Sequence, residues 1–178
     1  MKLFTTLLTG LTLLLTACAP TPTPGGSAGS SGQPEPVITK GEPLTITAFE
    51  FTHSGSTAND CYWYSIEETK EGVRFQSEGL YSGGEIVDLV VDDDQILTQL
   101  GELAGTYQAD RWNGFDQTNS MVLDGSGFSV RITLADGGTI SARGSNSFPK
   151  GFGEFHSELN DLVVQAFARH GAKAPMDW

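Results

Sequence analysis

The sequence predicts an α+β fold in which an antiparallel sheet of about four to six strands packs against two amphipathic helices. Three observations predict it. Residues 128–134 (FSVRITL) alternate apolar with mostly polar side chains, as in a strand with one buried face. Apolar residues recur at helical spacing after Ile96 and again after Phe152. The connections between strands are short and rich in glycine, as in hairpins, so the expected order of elements is ββββ-α-ββ-α.

The first three strands are predicted from the region before residue 81. Leu44–His53 is the first, and its apolar phase shifts at residues 48 and 49, which predicts a β-bulge there. Cys61–Thr69 is dense in aromatic and β-branched residues. We expect it to form a hairpin with Val73–Leu80, because Gly72 lies in the short segment between them.

A fourth strand is predicted at Glu85–Val91, after which the apolar spacing becomes helical. Asp92 and Gln95 have the spacing of a capping box, and Gly105 is expected near the end of this helix. The stripe predicted to face the core consists of Ile96, Leu97, Leu100, Leu103, Ala104 and Tyr107.

The second hairpin and the last helix complete the predicted domain. Phe128–Leu134 is followed by Asp136-Gly137-Gly138, which favours a tight turn, and by a returning strand at Thr139–Arg143. A long amphipathic helix is then expected, ending at His170-Gly171. Its apolar stripe consists of Phe152, Phe155, Leu159, Leu162, Val163, Ala166 and Phe167.

The N-terminal segment predicts export. A short basic start precedes an apolar run about as long as a secretory signal and too short to span a bilayer comfortably. The run ends in Leu15-Thr16-Ala17-Cys18, which resembles a bacterial lipobox. The resemblance implies cleavage before Cys18 and diacylglycerol on its thiol; the alternative is an ordinary secretory signal in which Cys18 is incidental.

These features divide the chain into three parts. Residues 1–17 are expected to be the lipoprotein signal peptide, and residues 18–36 the lipidated cysteine and a tether rich in Pro, Gly and Ser that cannot form a core. Residues 37–178 are expected to be one globular domain. The predicted location is the cell membrane, lipid-anchored and facing outside the cytoplasm.

Charge and composition exclude some partners. The chain has 22 Asp and Glu against 10 Lys and Arg, a formal charge of -12, which argues against a nucleic-acid partner because phosphate binding needs clustered cations. Two cysteines are too few for a disulfide scaffold or a four-thiolate zinc site. We expect no cofactor, and a membrane contact only through the lipid on Cys18.

A further resemblance covers about residues 44 to 170. It rests on Trp112-Asn113-Gly114-Phe115, Val122-Leu123-Asp124-Gly125, Phe128, Asp136-Gly137 and Gly144-Ser145-Asn146 before Pro149, which are similar to a pattern in small bacterial lipoproteins. That family carries no assigned activity, cofactor or site. The resemblance therefore supports the fold and adds no function.

Candidate catalytic groups each have a structural explanation. Cys61 could act as a nucleophile if His53 or His156 reached it, but a small buried residue also fits this aromatic strand. The aspartates of residues 92–94 lack the later ligands of an EF-hand and favour helix capping, and the turn at residues 124–127 (DGSG) likewise lacks further ligands. His170 is expected at a helix end. The acids Glu50, Glu67, Glu68 and Glu78 would make a glycosidase pair only at a suitable separation in space.

The candidate binding surface is aromatic. Its residues are Tyr62, Trp63, Tyr64, Trp112 and Phe115, which lie in a predicted strand and in the loop after the first helix. Alternation on the strand places at least one bulky ring on each face, and exposed Tyr and Trp near acids would suit a glycan, peptide or protein ligand. The alternative is that these rings pack in the core. The function expected is a binding module of the envelope; an envelope hydrolase assembled only in the fold and a purely structural lipoprotein remain alternatives.

Overall fold

The computed structural model describes residues 40–57, 60–79, 86–93, 95–122 and 124–176. The predicted signal peptide, Cys18, the predicted tether, the first residues of the predicted domain, Leu80, Glu85, Asp94 and Leu123 lie outside the described residues. The elements are β1 Ile46–Ser54, β2 Cys61–Thr69, β3 Gly72–Gly79, β4 Val87–Val91, α1 Ile96–Thr106, a 3₁₀ turn Ala109–Trp112, β5 Asp116–Thr118, β6 Gly127–Leu134, β7 Thr139–Ser145 and α2 Phe152–Arg169.

The strands form one sheet, and both helices follow the pattern predicted for them. The sheet has seven strands in the order β4-β3-β2-β1-β6-β7-β5, and its pairs are antiparallel except for β5 with β7. The α+β class is confirmed. The predicted count of four to six strands and the order ββββ-α-ββ-α are wrong in one respect, because both omit β5.

The omitted strand is held by the backbone and not by a buried face. All three residues of β5 are exposed, so no apolar alternation marks it. The amide of Gly114 donates to the carbonyl of Ser141 at 2.8 Å, and the amide of Arg143 donates to the carbonyl of Phe115 at 2.8 Å. The amide of Ser141 donates to Oδ1 of Asn113 at 3.0 Å. The segment Trp112–Phe115 therefore attaches β5 to the edge of β7, and a φ of 80° at Gly114 permits the turn.

The first strand carries the bulge that the sequence predicts, slightly nearer its start. The register between β1 and β6 shifts between Ile46 and Ala48. After the shift, Phe49 and Phe51 are fully buried while Glu50 is exposed. The bulge thus brings both phenylalanines to the face that the helices cover.

The cap of α1 differs from the predicted one. Asp93, not Asp92, accepts hydrogen bonds from the amides of Gln95 at 3.0 Å and Ile96 at 3.1 Å. The side chain of Asp93 is buried, whereas Asp92 is exposed. The predicted capping box is therefore wrong by one residue, although a carboxylate does satisfy the first amides of the helix.

Both helices cover the same face of the sheet. Phe152 stacks on Phe51 with ring centroids 6.5 Å apart, and Phe167 meets Phe75 edge-on at 5.2 Å. Tyr107 at the end of α1 meets Phe155 of α2 at 6.0 Å. The stripe predicted for α2 is buried except at Leu162, which is only half-buried because it faces the groove beside α1.

Candidate functional site

In the part of the chain that the structure describes, no helix covers the other face of the sheet, and we call it the open face. Most of its side chains are polar or charged, as alternation along strands with one buried face requires, and the exceptions are Ala48, Cys61, Trp63 and Val90. From β4 to β7 its side chains are Asp88, Val90, Arg74, Gln76, Glu78, Cys61, Trp63, Ser65, Glu67, Ala48, Glu50, Thr52, Ser54, Ser129, Arg131, Thr133, Thr139, Ser141, Arg143 and Ser145.

Trp63 is the large aromatic side chain of this face. It lies on β2, directly opposite Thr52 on β1 and Glu78 on β3. Its indole Nε1 donates a hydrogen bond of 3.0 Å to Oε1 of Glu50, which fixes the ring across the β1 side. The side chain is half-buried, so part of the indole remains in contact with solvent.

Carboxylates outnumber cations on the β1–β4 side of the open face. Arg74 is engaged there by both carboxylate oxygens of Asp88, at 2.9 and 2.8 Å, and Glu67 lies 3.8 Å away. The hydrogen bond and charge of Arg74 lower the pKa of Asp88. Among the described residues, Glu50 and Glu78 form no ion pair within 4.0 Å.

The remaining residues of the predicted aromatic surface lie elsewhere. Tyr62, Tyr64 and Trp112 are buried in the core beneath the helices, so they do not line an exposed surface. Phe115 is half-buried, with its ring 6.2 Å from that of Phe128. It lines a shallow pocket of about 340 Å³ together with Asn113, Gly114, Asp116, Ser141 and Arg143.

Cys61 is buried by a loop. Its Sγ lies 3.5 Å from the carbonyl oxygen of Thr57 and 3.9 Å from that of Gly55. Both carbonyl oxygens belong to residues that follow β1, so these residues contribute to the burial of the thiol. His53 points to the helix-covered face and Cys61 to the opposite one, so the two do not form a nucleophile and base.

A polar cluster that the sequence did not predict lies at one end of the helix-covered face. The rings of His53 on β1 and His156 on α2 stack with centroids 5.1 Å apart and planes 18° apart. Tyr62 Oη lies 3.1 Å from Nε2 of His156 and 3.3 Å from Oδ1 of Asn160, to which it donates. The sequence does contain a signal for this cluster, namely the spacing of its residues. His53 lies two residues after Phe51 on the same strand face, and His156 lies one helical turn after Phe152.

Burial keeps this cluster uncharged. Desolvation and, to a lesser extent, the neighbouring His53 together lower the pKa of His156 to about 4. Desolvation also lowers the pKa of His53, which the charge of Asp60 partly offsets, and it raises the pKa of Tyr62 to about 12. Both imidazoles are therefore neutral at pH 7, and the cluster acts there as packing between α2 and the sheet.

The remaining candidate histidine, His170, has a structural role. His170 and Asp93 join the two helices, with 2.8 Å between Nε2 and Oδ2. In the described ranges, no group of three or more His, Cys, Asp or Glu side chains is placed to hold a metal ion. No helix in this part of the chain is long and apolar enough to cross a membrane.

Sequence comparisons identify no family for this chain. No protein-family model matches the chain, and no curated protein matches it. The function must therefore be inferred from the open face, the polar cluster and the N-terminal sequence.

Proposed function

We propose that this protein is a lipid-anchored lipoprotein of the cell envelope, facing outside the cytoplasm, whose domain binds a partner through the open face. The lipobox at Leu15–Cys18 and the tether that follows support the anchor. The membrane is then contacted through the lipid on Cys18, and the partner is a glycan, a peptide or a protein of the envelope.

The observation that carries the binding proposal is the position of Trp63. Tryptophan is enriched at binding sites, since one ring supplies a large contact area and a polar N–H group. Here the ring is partly exposed on a sheet face that none of the described helices covers, and Glu50 and Glu78 lie beside it. Folding of the domain does not require an exposed indole at this position, whereas binding would use it.

An envelope hydrolase is the second candidate named by the sequence. The arrangement that would favour it joins Cys61 to His53, or brings two carboxylates together around a cleft. Cys61 faces backbone carbonyls, and the close carboxylates Glu67 and Asp88 are both held by Arg74. These observations favour the binding module over the hydrolase and leave a purely structural lipoprotein as the alternative to be tested.

The anchor is tested by Cys18→Ser. The variant should leave the membrane fraction, because the thioether is the attachment that the N-terminal sequence predicts. Retention of the variant in the membrane fraction, at the wild-type level, would contradict a lipid anchor.

The binding face is tested by photo-crosslinking in living cells. A photoreactive amino acid replaces Ser65, which neighbours Trp63 on the open face, or Ser157, which is exposed on α2 and serves as the matched control. The expected adduct forms from position 65 and not from position 157, and it is lost when Trp63→Ala is added. Adducts of equal yield at the two positions, or none at position 65, would favour the structural alternative.

A further inference from the structure

The charges around Trp63 identify the kind of partner that the open face accepts. We propose that the partner is a polypeptide segment that places a lysine or arginine side chain on the indole of Trp63, between the carboxylates of Glu50 and Glu78. This inference rests on the proposed function, since it names the chemistry of the ligand at the same face.

The first step is the local geometry. Glu78 is the register partner of Trp63 on β3, and Glu50 accepts the indole N–H from the β1 side. The two carboxylates therefore flank the ring on opposite sides. A cation over an indole is attracted by the negative face of the ring, and carboxylates beside it add a charge pair.

The second step is that nearby cations leave this position open. Arg74 is held by Asp88 and Glu67 at the other end of β3. Arg131 lies opposite Glu50 on β6, on the far side of β1 from Trp63. In the described part of the chain, the indole has no arginine or lysine stacked on it, so a cation from a partner meets no competitor.

The third step is the distribution of charge over the open face. On β1–β4 it carries Glu50, Glu67, Glu78 and Asp88 against Arg74, whereas on β6 and β7 it carries Arg131 and Arg143. The whole chain has a formal charge of -12. Arg143 is paired with Asp116 at 2.6 Å. A basic segment is therefore attracted to the chain and directed to the β1–β4 side.

The fourth step is shape, which favours a polypeptide over a small amine. Sites for small molecules are concave and enclose most of the ligand. Trp63 and its flanking acids lie on the flat face of a sheet, where a partner gains contact area only by extending across several strands. A polypeptide segment that carries lysine or arginine both complements the negative charge beside Trp63 and gains contact area across several strands.

The experiment measures peptide binding to the full-length protein in non-ionic detergent. The probes are an extended peptide of alternating lysine and serine, its arginine counterpart, and a version with glutamine in place of the basic residues. Neutral oligosaccharides are tested in parallel, as is the free polyamine spermine. The variants are Trp63→Ala, Glu78→Gln and the control Glu102→Gln, which removes the same charge from the exposed surface of α1.

The expected result is binding of the basic peptides but not of the glutamine peptide, weakened by salt. Trp63→Ala should weaken binding by about 2- to 30-fold, the range that one cation–π contact supplies. Glu78→Gln should weaken it in the same direction, and Glu102→Gln should change it little. Thermal melting of each variant confirms that the fold is retained.

Four results would overturn the inference. The first is that neither basic peptide binds. The second is that Glu78→Gln and Glu102→Gln weaken peptide binding equally, which would show that the net charge of the protein alone attracts the peptide. Oligosaccharide binding that depends on Trp63 but not on Glu78 would also overturn it, while supporting the proposed binding function. The last is that spermine binds as tightly as the peptides, which would indicate that the ligand is a small amine and not a polypeptide.

Discussion

Nε2 of His170, the residue after α2, lies 2.8 Å from Oδ2 of Asp93, three residues before α1 begins. Arg169 donates to the same oxygen at 3.2 Å, and the amides of Gln95 and Ile96 donate to Oδ1. One buried carboxylate therefore satisfies the first amides of one helix and binds the side chains of Arg169 and His170 at the end of the other. Asp93 therefore joins the start of α1 to the end of α2, while Tyr107 joins the end of α1 to Glu158 of α2 through a hydrogen bond of 2.6 Å.

Asp93→Asn is expected to destabilise the domain. Burial raises the pKa of Asp93, but the hydrogen bonds from His170, Gln95 and Arg169 outweigh it and lower the pKa to about 2. An unfolded aspartate titrates near 3.9, so the contribution is complete above about pH 4 and is lost as the pH falls toward 2. At neutral pH we expect Asp93→Asn to lower the free energy of unfolding, measured with urea, by about 1 to 3 kcal/mol.

Asp92→Asn is the matched control for that measurement. Asp92 is exposed and adjacent in sequence, and its replacement should change stability by less than about 0.5 kcal/mol. Equal losses for the two variants would contradict the role given to Asp93 and restore the capping box predicted from the sequence.

The stacked pair of His53 and His156 predicts that the stability of the domain also depends on pH in a second, higher range. Because folding lowers both pKa values below the 6.5 of an unfolded histidine, the unfolded state binds protons more readily. Stability should be complete above about pH 6.5 and fall as the pH drops toward 4. Since His156 is partly exposed, its share is on the order of 1 to 2 kcal/mol after allowance for solvent screening.

The variant His156→Gln tests this window. The loss of stability between pH 7.5 and pH 5, measured by urea unfolding, should be smaller in the variant than in the wild type. A wild-type slope in the variant would show that His156 does not titrate with folding.

Gly101 lets the chain before β1 lie directly on α1. The amide of Leu44 donates to the carbonyl of Gly101 at 3.0 Å, and a Cβ at Gly101 would overlap with the carbonyl oxygen of Leu44. Gly101→Ala should therefore cost about 1 to 3 kcal/mol of stability, as overpacking does. Gly153→Ala is the control, because its Cβ would meet nothing within 4 Å in α2. It should raise thermal stability slightly, and a stabilising effect of Gly101→Ala would contradict the close packing.

Much of the fold follows from sequence patterns because its elements have buried faces. The bounds of β2 are those predicted, since a run of aromatic and β-branched residues ends at a tight turn there. Strand β5 was not predicted because it contains no apolar residue. Hydrogen bonds to the edge of β7 hold it in the sheet. The choice between Asp92 and Asp93 depended on which carboxylate reached the helix amides, which spacing alone does not fix.

The site was predicted only in part. Alternation places Tyr62 and Trp63 on opposite faces of β2, but the sequence does not say which face the helices cover. The register with β1 decides it, because Phe49 and Phe51 bring the Tyr62 side of the strand to the core. The pairing of His53 with His156 needs the packing of α2 on the sheet, a contact between residues that are far apart in the chain.

Cys61 is expected to be protected from thiol reagents. Its side chain is buried, and the carbonyl oxygens of Gly55 and Thr57 lie against the sulfur. In the Cys18→Ser variant, where Cys61 is the remaining cysteine of the chain, labelling at neutral pH should be far slower than in urea. A rate equal to that of the unfolded chain would show that the loop does not cover the thiol. A faster rate would indicate an activated thiolate and favour the hydrolase.

The most direct test of the open face as a binding surface is hydroxyl-radical footprinting of Trp63 in intact cells and in the purified protein. Met121 is 90% exposed in the loop after β5 and serves as the internal reference. If a partner occupies the open face in the envelope, oxidation of Trp63 relative to Met121 will be severalfold lower in cells than in the purified protein. The same relative oxidation in both samples would contradict binding at this face.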